Sequence, residues 1–462
     1  MVQPYEIQTM VPVRRRPAAA AAAAVHPKRL KRPAGAEPAG LRALDEDDGL
    51  PLCDEILLLI MSLVPDTADL VRCAATCRRC RRLVSSDAAF VCQGSTPRPR
   101  SDRFIRPLAI GYYKMNITAA PLEEPRFVPL RSNSRRRQPL LVDLVDDDGR
   151  QILDASSRVV ASRNGLLVAE IGRTKSGCVL KLCVCNPMSG EVDILPHLRG
   201  RDSPGSYACA LLTVDDLHDL YNCGEDTTPP SSPSSYRLVL IYNRRSFTAV
   251  RCFSSDTGLW EPAEAPVVGA KVGRMRPHAA IIHRGVVFWP RLKFALWWLP
   301  TATNADVVKG ISMHASFARE QSLLGLLPDG RLCWVQVVNG DKIRVFFLEQ
   351  AAADNLSLRV DDGIFEGCWA WQRTIRLSEV MPESSPVMAV KLRWFYERSG
   401  VVLFTAERSR RFVYEERCYT LNLDTMEVEK ANGGEPVDGD TDMLGYEIDQ
   451  LAFLASLGTS AS

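Results

Sequence analysis

Arg331-Leu332-Cys333-Trp334-Val335-Gln336-Val337-Val338-Asn339-Gly340-Asp341-Lys342-Ile343-Arg344-Val345-Phe346-Phe347-Leu348 reads as two β-strands joined by a turn. β-Branched and aromatic side chains fill both arms, as a pleated, half-buried surface favours. Asn339-Gly340 supplies the positive φ angles that a tight hairpin needs. The same grammar recurs outward from this hairpin. Runs at Val179 to Cys185, Arg237 to Tyr242 and Val401 to Thr405 are punctuated by Asn164-Gly165, Ser189-Gly190, Thr257-Gly258 and Asp329-Gly330. Many short strands with frequent turns predict an all-β sandwich, barrel or propeller.

Repeat spacing favours the propeller. Cys185-Asn186-Pro187-Met188-Ser189-Gly190-Glu191, Phe253-Ser254-Ser255-Asp256-Thr257-Gly258-Leu259-Trp260 and Leu423-Asp424-Thr425-Met426-Glu427 echo one another. Each ends a strand, turns and starts another, as the outer hairpin of a blade would. Residues 156–430 hold about six blades of roughly 45 residues. Polar insertions at 131–138 and 222–235 are expected to be long loops on one rim.

The period changes at the N-terminal side. Ile56, Leu57, Ile60, Met61 and Val64 recur at helical spacing, with Asp54 and Glu55 in the first turn, where carboxylates suit the helix dipole. Pro65-Asp66 ends that helix and starts another, whose apolar face is Leu70, Val71, Ala74 and Cys77. Arg78, Arg79, Arg81 and Arg82 are then expected near a helix C-terminus. A last helix is expected over Tyr446 to Leu457, marked by Ile448, Leu451 and Leu454. The predicted class is therefore a multidomain α+β chain: a small N-terminal helical module, a large all-β, six-bladed propeller-like domain, and a C-terminal helix. Its divisions are 1–44 (a basic, Ala-rich tail), 45–92 (the helical module), 93–103 (a linker), 104–440 (the β-rich domain) and 441–462 (the terminal helix and tail).

Composition excludes several function classes. With 46% apolar and 24% charged residues, the chain is ordinary globular protein, and a net charge of +2 marks no general affinity for nucleic acid or membrane. The most apolar segment, Ile281 to Leu299, is interrupted by His283, Arg284, Pro290, Arg291 and Lys293 and is no membrane span. No secretory leader is expected, because an Ala run stands where a leucine-rich core would be. Fourteen scattered cysteines point to reduced thiols in the nucleus and/or cytoplasm. In the tail, Arg14, Arg15 and Arg16 precede Lys28, Arg29, Lys31 and Arg32. Two such clusters resemble a bipartite nuclear import signal; a solvated basic tail and an organelle transit peptide are the other readings.

The order of motifs carries the function. Leu52-Cys53-Asp54-Glu55-Ile56-Leu57 runs through Leu63-Val64-Pro65 to Leu70-Val71-Arg72-Cys73-Ala74-Ala75-Thr76-Cys77-Arg78-Arg79-Cys80-Arg81-Arg82-Leu83-Val84. This order resembles an F-box, with Leu50-Pro51 just upstream able to supply the Leu-Pro turn. The resemblance implies docking onto a Skp-type adaptor, and through it onto a cullin–RING ubiquitin ligase. The residues it implicates are Leu50, Pro51, Leu52, Ile56, Leu57, Ile60, Met61, Leu63, Val64, Pro65, Leu70, Val71, Cys80 and Leu83. Cys53 stands where the family has Pro, and Cys80 where it has Trp. Downstream, Asn164-Gly165-Leu166-Leu167, Cys252-Phe253-Ser254-Ser255 with Trp260, and His283-Arg284-Gly285-Val286-Val287-Phe288-Trp289 are similar to the β-rich associated domains of plant F-box proteins. The implied function is a non-catalytic substrate adaptor, with a protein substrate held by the β domain.

Sites for other chemistry are expected to be absent. Cys73-x₃-Cys77-x₂-Cys80 has an iron–sulfur spacing but sits in an amphipathic helical pattern, where thiols act as small apolar residues. Asp146-Asp147-Asp148-Gly149 lacks a calcium loop's alternation and reads as a turn. Trp289, Trp297 and Trp298 are expected to be core. No catalytic residue, metal or cofactor is expected. The alternative class is a β-propeller enzyme or carbohydrate-binding module with an incidental helical N-terminus.

Overall fold

The computed structural model describes residues 52–64, 67–93, 108–116, 123–130, 144–145, 149–172, 179–213, 216, 235–245, 248–262, 280–283, 286–289, 294–299, 307–312, 321–327, 331–348, 369–381, 387–410, 413–431, 436–437, 441–449, 453–454 and 457. Outside the described residues lie Leu50, Pro51 and Pro65, the basic clusters Arg14 to Arg16 and Lys28 to Arg32, the 93–103 linker beyond its first residue, and nearly all of both polar insertions.

Four helices come first: α1 (Asp54–Ser62), α2 (Thr67–Thr76), α3 (Arg78–Ser86) and α4 (Ala88–Gln93). The expectation for the arginine cluster needs correction. Cys77 is extended and caps the start of α3, its Sγ accepting the Cys80 amide at 3.3 Å. Arg78, Arg79, Arg81 and Arg82 therefore open a third helix instead of closing the second. Their charge opposes the helix dipole there. Asp54 offsets part of it, accepting from Arg79 at 2.7 Å and from Arg82 at 3.2 Å.

Most of the remaining described residues form a large β-rich region of antiparallel sheets. Five have four strands, each built in chain order. They are β3 (Arg158–Arg163), β4 (Leu166–Glu170), β6 (Leu182–Asn186) and β7 (Glu191–Ile194); β9 (Tyr207–Thr213), β10 (Tyr236–Asn243), β11 (Thr248–Ser254) and β12 (Leu259–Trp260); β13 (Ile281–His283), β14 (Val286–Trp289), β15 (Phe294–Leu299) and β16 (Val307–Ser312); β17 (Ser322–Leu326), β18 (Leu332–Val338), β19 (Lys342–Leu348) and β20 (Trp369–Arg376); and β21 (Val387–Tyr396), β22 (Val401–Arg410), β23 (Val413–Asn422) and β24 (Val428–Lys430). Strands β5 (Val179–Leu180) and β8 (Leu198–Arg199) pair separately. A three-stranded sheet joins the two ends of the region: β1 (Ala109–Asn116) lies between β2 (Arg126–Pro129) and β25 (Thr441–Glu447). Among the described residues, five four-stranded sheets thus fall within residues 156–430 where about six repeats were expected, and a further sheet is built by the two ends of the region together.

The hairpin over Arg331 to Leu348 is formed by β18 and β19. Cys333, Val335 and Val337 alternate into one core with Ile343 and Val345, and Val335 lies opposite Val345. Asn339 and Gly340 both have positive φ, as that turn requires. The three echoing segments occupy equivalent places, joining third to fourth strands: β6 to β7, β11 to β12 and β23 to β24. In two of them an Asn caps the turn identically. The Asn186 side chain accepts the Met188 amide and the Asn422 side chain accepts the Asp424 amide, both at 2.9 Å. Trp289 is fully buried, as expected.

One edge strand of each of these sheets neighbours the next: β3 touches β9 and β25, β21 touches β25 and β17, and β17 touches β13. Two consecutive residues of β21 set this spacing. A Cβ on Gly445 of β25 would fall 2.2 Å from the Trp394 ring, and one on Gly325 of β17 would fall 2.5 Å from the Phe395 ring.

The predicted C-terminal helix begins later than expected. Tyr446 belongs to β25, and Ile448 is buried in the β core, its amide donating to the Leu108 carbonyl at 3.0 Å. Helical backbone is described only at Phe453, Leu454 and Leu457. Strand formation wins over Thr441–Glu447 because β1 supplies a full ladder of backbone partners there.

Candidate functional site

Helix α1 is apolar nearly all round: Ile56-Leu57-Leu58-Leu59-Ile60-Met61. A four-helix module of this size can cover only one face of it. Leu57 and Met61, one turn apart, are buried with Leu70, Ala74, Cys80, Leu83, Val84, Ala88 and Val91. Among the described residues the opposite face has no cover. Leu52, Ile56, Leu59, Ile60 and Leu63 are exposed by 38 to 72%, and Phe90 of α4, which packs on α1, is exposed as well. Leu52, Ile56 and Ile60 follow one another at four-residue spacing, and Leu59 and Leu63 form the adjacent row.

The start of α1 is tied down from α3. Arg79 donates to Asp54 and to the Leu52 carbonyl, at 2.7 and 2.6 Å. Half of its role is therefore backbone placement, fixing Leu52 at the edge of the apolar face. Glu55 is fully exposed, and a backbone hydrogen bond holds its carboxyl below the ordinary carboxylate value. It stays ionised beside the apolar rows.

The residues named from the sequence separate into two sets. Leu52, Ile56, Ile60 and Leu63 lie on the open face, and Val64 and Val71 are half-buried. Leu57, Met61, Leu70, Cys80 and Leu83 are buried in the module's own core, so a partner meets none of them on this surface. Cys80 thus replaces a large aromatic on the inside, not on the open face. Sequence reasoning missed Leu59, which stands outside the stripe of Ile56, Leu57, Ile60, Met61 and Val64, and Phe90, which belongs to a helix too short to show a period.

A second polar concentration lies at one end of the β region. Arg163 is clamped by Asp216 and Glu397, and Glu447 accepts from the Ser399 amide and hydroxyl at 2.9 and 2.6 Å. These groups are mutually satisfied ion pairs and hydrogen bonds linking β3, β9, β21 and β25. Among the described residues no group of three or more His, Cys, Asp or Glu side chains could hold a metal ion, and no described helix is long and apolar enough to cross a membrane.

Residues 51–90 match the F-box-like family model. The chain carries an F-box. The match spans α1 to α3 and reaches Phe90 of α4, so the exposed rows and most of the helical core lie within it, while Val91 and Leu454 complete that core from outside. No curated protein matches the chain. Among solved structures it is similar to a prolyl endopeptidase, with 12% identity over 62% of this chain and 50% of that one, and a TM-score of 0.24. A 6-phosphogluconolactonase candidate from Bacteroides fragilis gives 8% identity over 72% and 98%, at TM-score 0.28. An oligogalacturonate lyase in complex with manganese gives 10% over 59% and 83%, at 0.25. At such scores these likenesses carry no argument, and the chain spans half the length of the first of them.

Proposed function

We propose that this F-box protein is the substrate receptor of a Skp–cullin–F-box ubiquitin ligase, and that the exposed rows of α1 are its docking face for the Skp-type adaptor. The observation that carries the proposal is the uncovered surface of Leu52, Ile56, Leu59, Ile60 and Leu63 inside the matched F-box. Large aliphatic side chains left in water forgo about 1.5–3 kcal/mol each that covering them would return. A folded module gains by keeping them bare only when a partner supplies the cover.

The β region holds the protein substrate in this proposal, and we read it as a six-bladed propeller-like ring. Five four-stranded sheets in succession, contacts among the edge strands β9, β3, β25, β21, β17 and β13 in that order, and a sheet shared by both ends of the region support that reading. The receptor supplies no reacting group; it raises the local concentration of substrate near the charged ubiquitin carrier. The site of action is the nucleus and/or cytoplasm, and Lys28, Arg29, Lys31 and Arg32 are the import determinants to replace with Ala in a localisation assay.

Direct titration of the purified chain with a purified Skp-type adaptor tests the docking role. Saturable binding that Ile60→Asp removes, with the thermal transitions unchanged, is the expected result. A wild-type chain that does not bind overturns the proposal.

A further inference from the structure

We infer that the C-terminal segment is part of the adaptor-binding module, so that docking competence depends on the last strand of the β region being in place. This rests on the docking role proposed for α1.

Leu454 is fully buried, and it is buried in the core of the helical module, together with Leu57, Met61, Leu70, Cys80 and Leu83. Leu457 packs against the same core. Phe453, the neighbour of Leu454 in sequence, packs instead against the core that holds Leu108, Tyr446 and Ile448. Two adjacent side chains therefore enter two different cores. The segment reaches them from β25, which pairs along its length with β1. Its exit is fixed by the Ile448 amide on the Leu108 carbonyl at 3.0 Å, the Gly165 amide on the Glu447 carbonyl at 2.9 Å, and the Phe453 amide on the Asp449 carbonyl at 3.0 Å. At Gly165, which has positive φ, a Cβ would fall 2.9 Å from the Asp449 backbone nitrogen, so this approach is already at contact distance.

The four helices span residues 54–93, a length at which a lone module rarely buries enough apolar surface to fold unaided. Leu454 and Leu457 extend that core from the far end of the chain. They arrive only when β25 has paired with β1. A chain whose β region is incomplete or unpaired at β25 consequently presents a loosened α1 face and binds the adaptor weakly. The coupling keeps receptors without a finished substrate domain off the ligase.

The test titrates full-length wild type, Leu454→Ala, Ile60→Asp and a chain truncated after Glu447 with a purified Skp-type adaptor, alongside hydrogen exchange of the helical amides. Leu454→Ala is expected to weaken apparent affinity about tenfold or more, because only the folded fraction of the module binds. It should speed exchange across α1 to α3 while β9 to β11 stay protected. The truncated chain should bind more weakly still. Wild-type affinity and protection in both C-terminal variants, with binding still lost in Ile60→Asp, overturn this inference and leave the docking role intact. No binding by wild type overturns the docking role itself.

Discussion

Arg163 and Glu397, 234 positions apart in sequence, form an ion pair at 2.5 Å with both side chains largely buried. Arg163 also grips Asp216 with two further hydrogen bonds, at 2.7 and 3.0 Å. One guanidinium at the end of β3 thus joins Asp216, just beyond β9, to Glu397, just beyond β21. Burial pushes the Glu397 carboxyl up, against the pull of Arg163, so the cation is what makes two buried carboxylates tolerable. Arg163→Met should cost about 3–5 kcal/mol, since removing one partner strands the others away from water. Chemical denaturation of the β region measures this. The double variant with Glu397→Gln should recover part of the loss, and no recovery would show that the pair is not coupled.

Glu447 gives a pH dependence of defined sign. Burial raises its carboxyl above the ordinary 4.5, outweighing its hydrogen bonds from Ser399 and Arg398, and neighbouring Glu397 pushes the same way. As pH rises from 4.5, the unfolded carboxyl ionises first while the folded one keeps its proton. This group's contribution to stability therefore falls until the folded value is passed, and is constant above it. Glu447→Gln carries no such penalty. Its melting temperature relative to wild type should climb as pH rises above 4.5 and level off once the folded carboxyl has ionised. A gap that narrows with rising pH would contradict the assignment.

Gly445 and Gly325 should each resist substitution by alanine, because Trp394 and Phe395 lie directly over them. Overpacking of this kind costs about 1–3 kcal/mol. Gly258, in the β11–β12 turn with open space around its Cβ position, provides the contrast. Its positive φ makes Gly258→Ala a purely local strain. Comparative thermal melts should show Gly445→Ala and Gly325→Ala lowering the midpoint more than Gly258→Ala; the reverse order would mean the rings simply move aside.

The alternation in Arg331 to Leu348 and the Asn-Gly turns were legible in the sequence because both are local. A period of two and a positive-φ turn need no knowledge of the rest of the chain. The F-box helices were legible for the same reason, through spacing and turn residues. Two features were not. Leu57 and Ile60 look alike in sequence, and only the packing of α3 and α4 decides which is inside. Leu451 and Leu454 sit three apart as any helix would place them, yet the strand over Thr441–Glu447 is dictated by β1, more than 300 residues earlier by the numbering of the paired strands. Long-range pairing leaves no mark on the local pattern, so spacing alone carries the helix back to Tyr446 and gives no sign of the core that Leu454 enters.

The two faces of α1 should separate stability from binding. Leu57 lies in the module core with Leu83 and Leu454, so Leu57→Ala removes buried methyl groups and leaves a cavity. That substitution should cost about 2–5 kcal/mol of module stability. Ile60 is nearly half exposed and is not part of the module core. Ile60→Ala should therefore leave stability within about 0.5 kcal/mol. Adaptor affinity should reverse the emphasis. If the partner fully covers Ile60, its truncation forfeits about 1–2 kcal/mol of contact, roughly a five- to thirtyfold rise in Kd. Leu57→Ala should weaken binding only as far as it unfolds the module, and lowering the temperature or saturating with adaptor should restore it. Paired measurements of helical unfolding and adaptor titration decide the matter. If Ile60→Ala binds like wild type while Leu59→Ala and Leu63→Ala also do, the bare rows of α1 are not the docking face.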